Sequence, residues 1–207
     1  STIREHFPDC RTVSMYASIR NISSKSDSDL RMLKDLGIDD LYVGVESGSA
    51  EVIEQISKGH TIDQAHEQLR RLDTAGYRWI ANLMLGIGGS GRGLANARRT
   101  AEFLNQHRPK AIWVGTLGVF DGGDLHRAAH DGLFVEASEG EKLEEERELL
   151  EQLNLENVRL YGVHPGNAVR VFGELPGDRQ LMIDTIDEAL TTLSPEFLAT
   201  SATRISL

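Results

Sequence analysis

The chain has 207 residues, 40% of them hydrophobic and 26% charged, and a net charge of −10. That length buries a sizeable core as one large domain or a domain with an appendage, and the negative charge excludes a general binder of nucleic-acid backbone. One cysteine, Cys10, excludes a disulfide framework and a thiolate metal site within the chain; with no apolar run near the roughly 18 residues of a membrane span and no signal-peptide pattern in STIREHFPDC, a reducing, cytoplasmic setting without a membrane is expected.

Residues 11–20, RTVSMYASIR, are rich in β-branched and aromatic types and predict a short strand. SDSDLRMLKDLG predicts a helix capped by Asp27 or Ser28, faced by Leu30, Leu33 and Leu36, and stopped at Gly37. DLYVGVES, residues 40–47, is a near-continuous apolar run, as in a strand covered on both faces. A helix over about 49–57 carries Val52, Ile53 and Ile56 on one side. A second runs from Thr61 to Gly76 with Ile62, Ala65, Leu69 and Leu72 at helical spacing. YRWIANLMLGIG, 77–88, is the next strand. GLANARRTAEFLNQH is a helix closed by Pro109, and KAIWVGTLGVF, 110–120, is the fourth apolar strand. Strand and helix alternate throughout, which predicts βαβ units and a parallel sheet. In such a sheet the chemistry lies beyond the carboxyl ends of the strands.

After Phe120 the pattern changes. DGGDLHRAAHDGLF predicts a long loop with about one helical turn. EGEKLEEERELLEQL, 139–153, predicts a charged helix with Leu143, Leu149, Leu150 and Leu153 inward and a solvated outer face. NVRLYGVH is a candidate strand, HPGNAVRVFGELPGD is loop-like, and DRQLMIDTIDEALTTL is a final amphipathic helix before an irregular tail. The expected division is residues 1–120 as a barrel portion and 121–207 as an α-rich extension packed on it.

Three stretches are candidates for chemistry. Glu46 ends an apolar strand ahead of Ser-Gly-Ser. The positive end of the following helix would favour an acid there, but a buried carboxylate also needs a partner. LGIGGSGRG, 85–93, fits either a flexible turn or a backbone cradle for an anion or a heterocycle edge. Its G-x-G-x-x-G spacing follows a later strand with no acid in the dinucleotide-binding place, and no Walker lysine is present. In SKGHT, 57–61, Lys58 either complements a helix end or reaches over the rim to an anionic group. His126 and His130 are spaced for a metal but lack a third ligand, which leaves the solvated-loop reading ahead. No G-x-S-x-G nucleophile elbow occurs.

LYVGVESGSAEVIEQISKGHT, AGYRWIANLMLGIGG and RTAEFLNQHRPKAIWVGTL, taken in order, resemble the radical S-adenosylmethionine enzymes. The nearest branch is the Fe–S oxidoreductases related to oxygen-independent coproporphyrinogen oxidase and the Elongator catalytic subunit. The resemblance covers about residues 11–193. It implies an α/β fold, a partial TIM-like (β/α) barrel of about four parallel units, strands three to six of the family core, with a mostly helical C-terminal extension. It implies S-adenosylmethionine as cofactor, a [4Fe–4S] cluster in the complete protein, and a 5′-deoxyadenosyl radical that takes hydrogen from an unknown substrate. Carried onto this sequence, it assigns cofactor contacts to Glu46 and Ser47 of VES, to Lys58 near the methionine carboxylate, to Asn82 at the ribose, and to Gly86, Ile87 and Gly88 at the adenine. It places Arg20 at the end of the first strand, facing the lumen. The family's C-x3-C-x2-C cluster motif is absent from this sequence. The chain is therefore expected to be an inactive fragment of a longer enzyme, or alternatively a degenerate barrel that binds a nucleotide-like ligand or a protein. The open edge at the first strand is expected to pair with another chain as a homodimer.

Overall fold

The computed structural model describes residues 2–201. Six strands form one sheet in consecutive order: β1 (Val13–Ala17), β2 (Ile38–Glu46), β3 (Arg78–Leu85), β4 (Ala111–Thr116), β5 (Val158–Gly162) and β6 (Val171–Leu175). The first five run parallel, and β6 returns antiparallel to β5. A sheet in which each parallel strand pairs with the next is the arrangement of a barrel wall. The fold is α/β, of the partial TIM-like barrel type. Among the described residues, β1 has no strand on its outer edge.

Alternation decides what each face of the sheet meets. Leu41, Val43 and Val45 of β2, Ala81, Leu83 and Leu85 of β3, Ile112 and Val114 of β4, and Leu160 of β5 are buried on one face. Against them pack α5 (Ile62–Thr74), α6 (Gly93–Leu104), α8 (Glu139–Gln152) and α9 (Arg179–Thr192), which supply Leu69, Leu72, Ala101, Leu104, Leu149, Leu150, Met182 and Ile186 to the same core. The other face stays half-open, with Tyr42, Gly44, Glu46, Asn82, Met84, Trp113 and Gly115. The apolar run 40–47 is thus covered fully on one side only.

Helix starts follow side-chain caps. Thr61 and Gln64 form a capping box for α5, and Ser138 and Glu141 form one for α8. For α3 (Asp27–Asp35) the cap is Ser26, paired with Asp29, rather than Asp27 or Ser28. Ser18 accepts from the Asn21 N–H and starts α2 (Ile19–Ser23), so the first strand stops at Ala17. Arg20 therefore belongs to a helix and not to a strand end.

Beyond residue 120 the structure adds two strands and corrects two readings. The loop-like stretch 164–178 contains β6, which forms a hairpin with β5 and extends the sheet past residue 120. The charged helix α8 is not a solvated face. Glu139, Lys142, Glu145 and Glu146 are buried beside its leucines. The expected helical turn is α7 (Asp124–His130). The end of the tail, 202–207, lies outside the described residues.

Candidate functional site

The half-open face of the sheet floors a cavity of about 620 Å³. Its walls are aromatic and apolar (Tyr16, Tyr42, Met84, Trp113, Leu117 and Phe120), and its polar groups are few: Ser18, Glu46, Lys58, Asn82, Thr116 and His164. A mostly apolar hollow with a few convergent polar groups is the usual form of a small-ligand site.

Glu46 reaches this cavity through an irregular backbone. The β2–β3 register shifts between Gly44 and Glu46, and Glu46 has φ 64. A bulge at a strand end re-aims a side chain, and a non-glycine residue in the left-handed region costs of order 1–2 kcal/mol. The carboxylate folds back over Gly44, where an added Cβ would stand 2.8 Å from Oε1. Gly44 has no side chain so that Glu46 can lie there.

Lys58 meets it from the next turn. The helix α4 (Ala50–Gln55) ends with the Ser57 N–H on the Glu54 carbonyl at 3.0 Å and the Lys58 N–H on the Ile53 carbonyl at 3.3 Å. This is the Schellman pattern, with Ser57 at φ 52 where glycine is usual. It aims Lys58 back over the rim, where Nζ donates to Glu46 Oε1 at 2.7 Å. The Glu46 side chain is 14% exposed and that of Lys58 34%. His60, in the same turn, is pushed below its usual pKa by burial.

Asn82 lies one strand away, in register with Gly44 on one side and Trp113 on the other. Its amide has no hydrogen-bond partner among the described residues. Tyr42 and Trp113 meet edge to face, with ring centroids 6.3 Å apart. His164 overlooks the far side of the floor. Its Nδ1 accepts from the Gly166 N–H at 3.0 Å, which leaves the proton of the neutral ring on Nε2. The turn holding it is clipped to β4 by Asn167, which accepts from Thr116 Oγ1 at 2.9 Å and donates to the Val114 carbonyl at 3.0 Å.

Of the eight residues nominated from the sequence, the structure brings Glu46, Lys58 and Asn82 together on the cavity. Arg20 is exposed on α2 with its side chain against Gly59, beside Lys58 but off the cavity lining. Ser47, Gly86, Ile87 and Gly88 do not line the cavity either. Ser47 is 1% exposed and donates to Asn96 Oδ1. The Gly86 N–H donates to Glu145 Oε2 at 2.7 Å, and a Cβ on Gly86 would stand 3.1 Å from the Lys142 side chain. The glycine turn thus admits helix α8, not an open ligand face. Tyr42 and Trp113 were missed, although the two-residue period of β2 puts Tyr42 on the face of Glu46; His164, in the HPGN stretch that reads from sequence as a turn, does line the cavity.

Neither a family model nor any curated protein matches the sequence. Solved structures do. The archaeal Methanocaldococcus infernus Elp3 with an N-terminal deletion (1–46) superposes with a TM-score of 0.62 at 18% identity, over 73% of this chain and 35% of that one. The chain shares the fold of that protein over this region. A methylornithine synthase, PylB, aligns over 92% of this chain and 59% of its own, with a TM-score of 0.49 and 14% identity. The chain spans about a third to three fifths of the length of these two proteins.

The two groups that the sequence resemblance implies fare differently here. Among the described residues no set of three or more His, Cys, Asp or Glu can hold a metal ion. Cys10, the single cysteine, bonds the Thr12 carbonyl at 3.4 Å. An iron–sulfur cluster does not fit these residues. A nucleoside-bearing amino acid does fit the cavity: Glu46 and Lys58 form a charge pair, Asn82 offers an unpartnered amide, and two aromatic rings line the floor. No helix among the described residues is long and apolar enough to cross a membrane.

Proposed function

We propose that the cavity binds S-adenosylmethionine, and that the chain is the cofactor- and substrate-facing wall of a radical S-adenosylmethionine enzyme whose cluster ligands lie outside residues 2–201. The observation that carries this reading is the Glu46–Lys58 pair, 2.7 Å apart at the mouth of an aromatic cavity. A carboxylate and an ammonium side by side are the complement of a zwitterionic α-amino acid. The ligand ammonium docks on Glu46 and the ligand carboxylate on Lys58, so the pair opens and each charge keeps a partner. This matters because stranding the Glu46 charge, whose side chain is 14% exposed, is costly. Asn82 then serves the ribose hydroxyls with one donor and one acceptor group. The faces of Tyr42 and Trp113 attract a sulfonium or stack on the adenine. Bound S-adenosylmethionine supplies an activated carbon–sulfur bond at its sulfonium. The protein orients that bond across the cavity and excludes water with its apolar walls.

Isothermal titration with S-adenosylmethionine and with S-adenosylhomocysteine tests the reading. Both are expected to bind, and Glu46→Gln and Lys58→Met are each expected to weaken binding by about tenfold or more, the loss that follows removal of one charged hydrogen-bond partner. No binding of either ligand by the folded chain would overturn it.

A further inference from the structure

Helix α8 sends one carboxylate through the sheet's covering layer to the ends of β2 and β3. Glu145 is 2% exposed. Its Oε2 accepts from the Gly86 N–H at 2.7 Å and its Oε1 from Asn96 Nδ2 at 2.7 Å. Asn96 Oδ1 in turn accepts from Ser47 Oγ, and Ser47 Oγ accepts from the Ser49 N–H at 2.9 Å. Ser47 directly follows Glu46, the strained residue of the cavity. A small void of about 10 Å³ is lined by residues of both β2 and α8, Glu46 and Glu145 among them.

The direction of this chain is set at one end. A carboxylate accepts only, so Asn96 must turn its NH2 toward Glu145 and its oxygen toward Ser47. Ser47 must then donate its hydroxyl proton to that oxygen, which leaves a lone pair for the Ser49 N–H. A protonated or amide group at position 145 keeps one acceptor oxygen for two donors, the Asn96 NH2 and the Gly86 N–H. One of these two hydrogen bonds is lost, and the chain is no longer held in one direction from that end.

We propose that Glu145 is a positioning residue for the cavity: as a carboxylate it orients the Gly86–Glu145–Asn96–Ser47–Ser49 hydrogen-bond chain that holds the bulged turn and so fixes the aim of Glu46. This rests on the reading of the cavity as an S-adenosylmethionine site. The control is poised near neutrality, since burial pushes the Glu145 carboxyl up to about 7 against the hydrogen bonds from Asn96 and Gly86. The charged groups around it are few. On α8 they are Lys142, which donates to Glu139; Glu141, which accepts from Ser90, Gly91 and Ser138; and Glu146, pushed up to about 8 by burial and by the neighbouring Glu145 charge. From the β2 side the nearest titratable residue is Glu46, whose carboxylate is turned to the open face of the sheet and pairs with Lys58. From α6 the group that faces it is the neutral Asn96, while Arg92 pairs with Gln55, Arg98 with Glu148 and Arg99 with Glu102. The facing residues of β3 (Leu83, Met84 and Leu85) do not titrate.

Two measurements test the proposal. The first needs no ligand: amide chemical shifts of Gly86, Ser47 and Ser49 followed from pH 5.5 to 8.5. A shared transition that is present in the parent and in Glu146→Gln and absent in Glu145→Gln is expected. The second is the affinity for S-adenosylhomocysteine over the same range. It is expected to fall by about tenfold from pH 8 to pH 6, one hydrogen bond's worth, and to be low and flat in Glu145→Gln. A merely structural glutamate would lower stability in Glu145→Gln and leave the slope of affinity with pH intact, which overturns the proposal. So does a transition that disappears in Glu146→Gln and survives in Glu145→Gln. Failure of the ligand to bind at any pH would count against the S-adenosylmethionine reading, whereas the amide shifts still decide the hydrogen-bond chain.

Discussion

Two glycine-bearing turns leave neighbouring parallel strands at one rim, and they face opposite ways. The turn after β2, VESGS, turns its acid toward the open cavity. The turn after β3, LGIGGSG, turns its backbone toward α8. The first is strained at a non-glycine residue, Glu46, and its side chain pairs with Lys58 in the open cavity. The second is relaxed by glycines and its partner is Glu145, sealed in the protein. The difference teaches that glycines at a strand end report a close approach without saying of what. At Gly86 the approaching body is a helix of the same chain.

Alanine substitutions test that contrast most strongly at Gly48. A Cβ there would stand 2.6 Å from the Arg99 carbonyl oxygen and 2.7 Å from the Thr100 Cα, both backbone atoms of α6. Gly48→Ala is expected to cost about 3 kcal/mol or more by urea denaturation, because the helix itself must move. Gly86→Ala meets the flexible Lys142 side chain and has φ 77. It is expected to cost about 2 kcal/mol. Gly91→Ala, at φ 74 with nothing within 4 Å, isolates the left-handed penalty at about 1 kcal/mol. An equal cost at all three would erase the distinction between packing and backbone freedom.

The sealed side also has a pH signature. Glu146 has an oxygen with no partner and is pushed up to about 8. A carboxyl whose folded pKa exceeds its unfolded value destabilises the fold progressively as pH rises from about 4.5 through the folded value. Stability is therefore expected to fall between pH 5 and pH 8.5. Glu146→Gln is expected to gain about 2 kcal/mol over the parent at pH 8.5 and little at pH 4.5, read by urea midpoints at the two pH values. His107 works at the other end. Burial holds it at about 4, and a histidine depressed in the folded state loses its stabilising contribution as pH falls below about 6.5.

The smallest effect sharpens the open side. Asparagine tolerates the left-handed region better than glutamate. Glu46→Asn is expected to match or exceed the parent in stability by up to about 1 kcal/mol, because the half-exposed ion pair it removes is worth little. It is nevertheless expected to lose ligand affinity. A clear loss of stability would mean that φ 64 at Glu46 is not strained.

The strands β2 to β4, the helix stops and the meeting of Glu46, Lys58 and Asn82 were legible because each rests on a local rule: alternation, a terminal glycine, or the carboxyl-end rim. What was hidden was hidden for physical reasons. In α8 the positions 139, 142, 143, 146, 149, 150 and 153 follow one helical stripe, yet hydropathy shows only the leucines among them. The stripe spacing, read without regard to polarity, was the signal for Glu139, Lys142 and Glu146. Glu145 carries no such signal, because its burial depends on Gly86 and Asn96 opening toward it from elements far away in sequence. β6 escaped because Gly166, Gly173, Gly177, Pro165 and Pro176 punctuate a five-residue strand that relies on pairing with β5. Arg20 was misplaced because one serine, Ser18, turns an apparent strand end into a helix start.

The reversal of β6 gives the sheet a polarity. At that margin the hydrogen-bonding pattern has changed sense, and the α9 helix that follows covers the same end. At the other margin β1 presents a parallel template of five residues, the exposed Met15 and Tyr16 among them. Among the described residues no strand lies beside this edge, and a strand that paired there in the parallel sense would continue the wall.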